Sequence, residues 1–174
     1  MRLFWERGYE KTSIADLTRE LGISAPSLYA AFGDKAALFA EAVARYEASP
    51  ESVTTAGIAA TSEFEVLQTM FGGAAREYAS SAHPRGCLVN SAPELGDNRD
   101  HNRAITASRL REVAEPGGST DDPEALAAFT HALLVGMSSY ARDGADEGQL
   151  RRVAKIAMRV LPAAEARSAT SRHG

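Results

Sequence analysis

Residues 12–35, TSIADLTRELGISAPSLYAAFGDK, constrain this chain more than any other stretch, because two short helical patterns meet across a break holding one glycine. Ser13 is a candidate N-cap, with Asp16 three residues on in a capping-box arrangement. Ile14, Leu17 and Leu21 fall at i, i+3 and i+7, which is one helical face. Gly22 supplies the positive φ at which such a helix can end. Ile23, apolar and between the helices, is expected to pin the turn to the core. Ser24 can cap a second helix, and Pro26 in its first turn lacks an N–H that would go unpaired there anyway. On that helix Leu28 and Phe32 point one way and leave Ala25, Pro26, Ser27 and Ala30 on the other side. Gly33 ends it, and Asp34 caps a third helix that starts at Lys35. This is the layout of a helix-turn-helix.

Such a motif lays its second helix in the major groove of duplex DNA. The face formed by residues 25–30 is small, with methyl groups and a hydroxyl, and suits close approach to base edges and apolar contact with a thymine methyl. Thr12, Tyr29 and Lys35 lie where they could reach phosphates, which position a protein without reading sequence. Spacing alone also fits a small helical bundle that binds no DNA. The segment FWERGYEKTSIADLTRELGISAPSLYAAFGDKAALFAEAVARY, residues 4–46, resembles the DNA-binding domain of the tetracycline-repressor (TetR) family of one-component regulators. The matching elements are Phe4, Gly8-Tyr9, Thr12, Ile14, Ala15, Gly22-Ile23-Ser24, Ser27-Leu28-Tyr29, Phe32, Lys35 and Leu38. The resemblance implies that Ser24–Ala31 is the recognition helix, with Tyr29 and Lys35 on phosphates. The expected DNA contacts are therefore Thr12, Ser24, Ala25, Pro26, Ser27, Tyr29, Ala30 and Lys35. It also implies a longer first helix, often with a basic arm before it; either residues preceding Met1 have been omitted, which is the expectation favoured, or the domain is shortened and binds more weakly.

Charge divides the chain unevenly. Residues 1–46 hold six Lys/Arg and six Asp/Glu, while residues 47–174 hold thirteen and seventeen, which together give the net charge of −4. Basic surface is the usual footprint of a DNA binder, and here it is faint; a missing arm would account for the shortfall. No window approaches the roughly 18 consecutive apolar residues of a membrane span, and no secretory leader is evident. The single cysteine, Cys87, cannot form an internal disulfide and fits a reducing cytoplasm.

Asp34 to about Tyr46 carries two apolar rows, Leu38–Ala42–Tyr46 and Phe39–Val43, so that helix should be packed on two sides and able to transmit movement. Residues 48–62 read as a loop and a short helix, and the stripe Phe64, Leu67, Phe71, Ala74, Ala75, Tyr78 as a longer one. His83-Pro84-Arg85-Gly86 breaks the pattern, Cys87–Leu95 resumes it, and Asn98–Val113 is a polar helix. An exposed loop is expected at 115–123. Two long helices follow, the first carrying Leu126, Phe129, Leu133, Leu134, Met137 and Tyr140, and the last ending near Leu161. Residues 163–174 are polar and expected to fray. No period-2 alternation appears, so the fold is expected to be all-α: a helix-turn-helix domain at 1–47 and a helical effector-binding and dimerisation domain at 48–174. The last two helices have apolar surface to spare, which points to a homodimer through residues 124–161; in TetR-like proteins this is where the dimer forms.

His83 and Cys87 sit at i, i+4, but a proline follows His83 and there is no second cysteine, so a buried thiol is favoured over a metal site and no cofactor is expected. A nucleophilic Cys87 with His83 or His131 as base lacks a third orienting group. An apolar effector pocket is better supported, with Phe64, Leu67, Met70, Phe71, Tyr78, Cys87, Asn90, Phe129, His131, Leu133, Met137 and Tyr140 as candidate lining and Asn90, Glu94 and His131 as its polar groups. Gly72-Gly73 inside a helical stripe should bend that helix or leave room beside it. The function expected is a ligand-responsive transcriptional repressor that binds a palindromic operator in double-stranded DNA as a dimer. The alternative is a helical small-molecule-binding protein with a vestigial DNA domain.

Overall fold

The computed structural model describes residues 1–49, 52–114 and 122–160. Among them the secondary structure is entirely helical. The elements are α1 (Arg2–Arg7), α2 (Ile14–Leu21), α3 (Ala25–Phe32), α4 (Lys35–Glu47), α5 (Val53–Ile58), α6 (Glu63–Glu77) and α7 (Leu88–Ser91). A 3₁₀ turn (Pro93–Leu95) then leads into α8 (Gly96–Val113), α9 (Pro123–Arg142) and α10 (Glu147–Val160). Most of the loop expected at 115–123 and the tail at 163–174 lie outside the described residues, as does Leu161.

Several helices begin where a side chain satisfies their free backbone groups. Ser13 and Asp16 form a reciprocal capping box, Ser24 accepts from the Ser27 N–H, and Asp34 accepts from the Ala37 N–H. Gly22 closes α2 at φ 65°, the left-handed region that costs glycine least. Further along, Ser62 caps α6 and Asp122 caps α9.

The core of the body is built by α5, α6, α8, α9 and α10. α10 presses Leu150, Ala154 and Ala157 onto α6, while α9 lies along α8. Met70, Phe71, Ala74 and Leu110 in its centre are at most 1 % exposed. Of the glycine pair in α6, Gly73 is the one that lets a neighbour close, because a Cβ there would stand 3.4 Å from Val53; at Gly72 a Cβ would meet nothing. α4 is buried along Phe39, Ala42, Val43 and Tyr46, with Leu38 packed at its edge, so both rows read from the sequence are covered. It thereby joins the N-terminal helices to the body.

The join is aromatic. Trp5 stacks on His83 at 4.7 Å between centroids and meets the Tyr46 ring edge-on at 4.9 Å. Arg142 at the end of α9 donates to the Trp5 carbonyl, and Arg2 donates to the Ala82 carbonyl. The loop before α7 is anchored as firmly. Arg85 donates to the Ala141 and Ala145 carbonyls, and Gly86 at φ 82° lies so close to Ser138 that a Cβ would come within 2.8 Å of its hydroxyl and 2.9 Å of its carbonyl. His83 and Cys87 thus go to different neighbours: the imidazole to Trp5 and Glu77, the thiol to Tyr46.

Candidate nucleic-acid interface and its helical body

The second helix of the motif, α3, is held by one residue and displayed by the rest. Leu28 is fully buried and Phe32 partly so, which turns Ser24, Pro26, Ser27, Tyr29 and Ala30 outward, with Ala25 at the margin. The Ser24 and Ser27 hydroxyls lie 2.9 Å apart at the helix start, beside backbone N–H groups that a phosphate can use. The outward face carries methyl, pyrrolidine, hydroxyl and one phenol, so it presents hydrogen-bonding and apolar groups without long flexible chains. Tyr29, 48 % exposed, is the one side chain on it with reach. Lys35 is half-buried and holds its ammonium 4.2 Å above the Tyr9 ring, a cation–π contact that orients it at the start of α4.

Three expectations about this region are corrected. Thr12 is fully buried: its hydroxyl donates to the Gly8 carbonyl at 2.7 Å and its N–H to the Tyr9 carbonyl, so it fixes the turn after α1 instead of facing a phosphate. Ile23 is 36 % exposed and does not pin the turn, a task that falls to Leu28 and Leu17. Leu21, at the end of the predicted stripe, is 48 % exposed because α2 leaves the core there. On the other side of α2, Asp16 accepts from both the Ser13 hydroxyl and N–H and pairs with Arg19 and Arg7. The Ser13 hydrogen bonds, aided by the two guanidinium groups, bring its carboxyl down to about 2.

In the body, the predicted pocket lining separates into three groups. Phe64, Phe129 and Tyr140 are 44 %, 39 % and 42 % exposed and lie on the outer surface. Leu67, Met70, Phe71 and Met137 are packed core, and Leu133 is packed at its edge. Tyr78, Cys87, Asn90 and His131, by contrast, meet at one small chamber, together with Tyr46, Val89, Asn102 and Leu134. Ser52, Val53 and Thr54 complete its wall. Its volume is about 10 Å³, room for one water molecule. Its wall mixes hydroxyl, amide, thiol and imidazole groups with Val53, Val89 and Leu134. Glu94 stands elsewhere, beside Tyr9 in the cleft between α1 and the α7–α8 connection.

The chamber is wired to α4 twice. The Tyr46 hydroxyl donates to the Cys87 sulfur at 3.1 Å. Glu47, the last residue of α4, accepts from the Asn98 and Asn102 amides at 3.2–3.3 Å. Behind Asn102, Thr106 donates to its carbonyl and lies 2.8 Å from Nε2 of His131. Burial pushes the Cys87 thiol up, and burial also raises Tyr46 and Tyr78 well above their ordinary value, so all three stay protonated at neutral pH. A protonated thiol is a poor nucleophile. Burial, helped by Arg103, takes His131 down to about 4, so it is neutral as well. Among the described residues no helix is long and apolar enough to cross a membrane, and no three His, Cys, Asp or Glu side chains gather where they could hold a metal.

Comparison with known proteins agrees with this arrangement. A family model described as bacterial regulatory proteins, tetR family, matches residues 1–42. The HTH-type transcriptional repressor ComR of Escherichia coli (strain K12) is 30 % identical over 178 residues, spanning 93 % of this chain and 85 % of ComR. The HTH-type transcriptional repressor BdcR of the same organism is 29 % identical over 161 residues, spanning 89 % and 81 %. A cysteine mutant of the TetR family transcriptional regulator CifR, solved in complex with 26-bp double-strand operator DNA, is 34 % identical, covers 92 % of each chain and superposes with a TM-score of 0.82.

Proposed function

The chain belongs to the TetR family of bacterial regulatory proteins and is a DNA-binding transcriptional regulator, and from that premise we propose that it is a repressor that leaves its operator when a small molecule occupies the body. The observation that carries the reading is the outward face of α3, small, rigid and capped at its start, on a motif whose packing rests on Leu28. Residues 1–47 form the DNA-binding unit in this reading, and residues 48–174 the effector-binding and dimerisation unit. ComR and BdcR are named repressors, and CifR was solved on operator DNA, which supports the same role here. The cytoplasm is where such a protein meets its DNA.

The protein works as a homodimer through residues 124–161. Support comes from α9, where Ala128, Phe129, Ala132, Gly136 and Tyr140 share an exposed face. A Cβ at Gly136 would meet nothing, so a second helix can approach there. On α10, Ile156 is 61 % exposed. A two-fold axis through this face places one α3 of each subunit in successive major grooves, and the operator is correspondingly palindromic.

Release follows from differential binding: an effector that fits the body better in a second arrangement shifts the population toward it. α4 is the element both ends share, since its first residue stands beside α3 and its last two are bonded to the chamber wall. The reading is tested with a Tyr29→Phe, Lys35→Ala double variant in an operator-binding titration at fixed salt. Affinity should fall at least about tenfold, the worth of one to two charge-assisted phosphate contacts. Unchanged affinity would remove these residues from the interface.

A further inference from the structure

What α3 can read of a base pair is narrowed by the side chains its surface lacks. In the major groove guanine is picked out by arginine or lysine, adenine by asparagine or glutamine, and cytosine by a carboxylate. Residues 23–33, from the turn to the end of α3, contain none of these side chains. Residues 1–46 as a whole contain neither asparagine nor glutamine. The cations of the motif stand on other elements and are engaged there: Arg7 and Arg19 pair with Asp16, and Lys35 holds its ammonium over the Tyr9 ring.

What the outward face offers instead is carbon and hydroxyl. Pro26 and Ala30 are both exposed and stand one helical turn apart, with Ala25 half-buried at the margin. Leu28 is fully buried behind them and fixes the backbone that carries them. The Ser24 and Ser27 hydroxyls lie 2.9 Å apart, and Ser24 also accepts from the Ser27 N–H. A serine can bond to either kind of base and so ranks none of them. The group in the major groove that answers an apolar surface is the C5 methyl of thymine. Side chains as short as these bring the helix backbone close to the base edges, where a methyl–methyl contact forms and excludes water.

We infer that α3 selects thymine at the base pairs it faces, through apolar contact of Pro26 and Ala30 with the C5 methyl, so that each half-site is A·T at those pairs. The inference rests on the reading of α3 as the helix that enters the groove. Phosphate contacts from Tyr29 and Lys35 set the depth and register of the helix, and the methyl contacts supply the discrimination.

The test uses the full-length wild-type protein and the palindrome it enriches from random duplexes. Each thymine of a half-site is replaced in turn by uracil, which keeps the base pair and removes only the methyl. At the one or two thymines facing Pro26 and Ala30, affinity at fixed salt should fall about fourfold, the worth of one buried methyl, and elsewhere it should hold. Cytosine at the same positions should weaken binding, and 5-methylcytosine should recover about fourfold of the loss. In an Ala30→Gly variant the uracil penalty should disappear at one of these thymines, whatever the overall affinity of that variant. A palindrome with G·C pairs throughout the centre of each half-site overturns the inference and leaves α3 in the groove. So does an A·T half-site in which every thymine tolerates uracil, which assigns the preference to duplex shape. If a folded, dimeric protein enriches no palindrome, the reading of α3 itself falls and the inference with it.

Discussion

The neutral His131 makes stability depend on pH in a direction the structure fixes. Its pKa falls from the ordinary value of 6.5 to about 4 in the folded protein, through burial first and the Arg103 charge second. The unfolded chain therefore binds a proton at this residue between pH 6.5 and 4 that the folded chain refuses. The stability contributed by keeping His131 neutral is present above pH 6.5 and is lost progressively as pH falls toward 4. At about 1.36 kcal/mol per pH unit the gap is worth about 3 kcal/mol, or a fall of roughly 6–12 °C in Tm for a chain of this size. Thermal unfolding followed by circular dichroism at pH 7.5, 6.5, 5.5, 4.5 and 4.0 measures it, with His131→Gln as the partner protein. Glutamine can still bond to Thr106 but does not titrate. The wild type should lose about 3 kcal/mol more than the variant across that window, with the two curves parallel above pH 6.5. Parallel curves throughout would refute the claim that burial holds this imidazole neutral.

Three further outcomes are expected. Gly86→Ala should destabilise the protein by about 2–4 kcal/mol in denaturant titration, because it combines a left-handed φ with a Cβ driven against the Ser138 carbonyl. Glu47→Gln removes the charge that two asparagine amides share and should leave operator affinity within about threefold of wild type while weakening the effector response about tenfold, read by repeating the operator titration with effector present. Ala132→Glu on the exposed face of α9 should shift the protein from dimer to monomer in sedimentation analysis and leave its helical circular dichroism unchanged.

What could be read in the sequence is what depends on near neighbours along the chain. The capping pairs Ser13–Asp16, Ser24–Ser27 and Asp34–Ala37 each span three residues, so pattern alone placed the starts of α2, α3 and α4. The two apolar rows of α4 were legible for the same reason, and every residue in them is at least partly buried. Thr12 shows the limit even at short range: a hydroxyl can serve a phosphate or a carbonyl four residues back, and only the turn after α1 decides between them. In α9 the periodicity named apolar residues on more than one face but not which face turns inward, so Phe129 and Tyr140 were assigned to an interior lining although they lie exposed. The chamber was only partly within reach: Tyr78, Cys87, Asn90 and His131 were legible as lining, but the contacts that tie it to α4 and α8 were not. Tyr46 meets Cys87 across 41 residues, Asn102 meets Glu47 across 55, and Thr106 meets His131 across 25. Hydroxyls and amides in otherwise polar segments, such as Asn102 and Thr106 in α8, carry no periodic signal that would mark them as inward-facing.

The central claim is that α3 reads DNA as one half of a symmetric pair. Selection of bound duplexes from a random DNA pool by the full-length protein, at about 150 mM salt where non-specific phosphate attraction is screened, tests it most directly. The account predicts enrichment of a palindrome whose half-sites are separated by one helical turn or a multiple of it, lost in the Tyr29→Phe, Lys35→Ala variant. A folded, dimeric protein that enriches no sequence would contradict it.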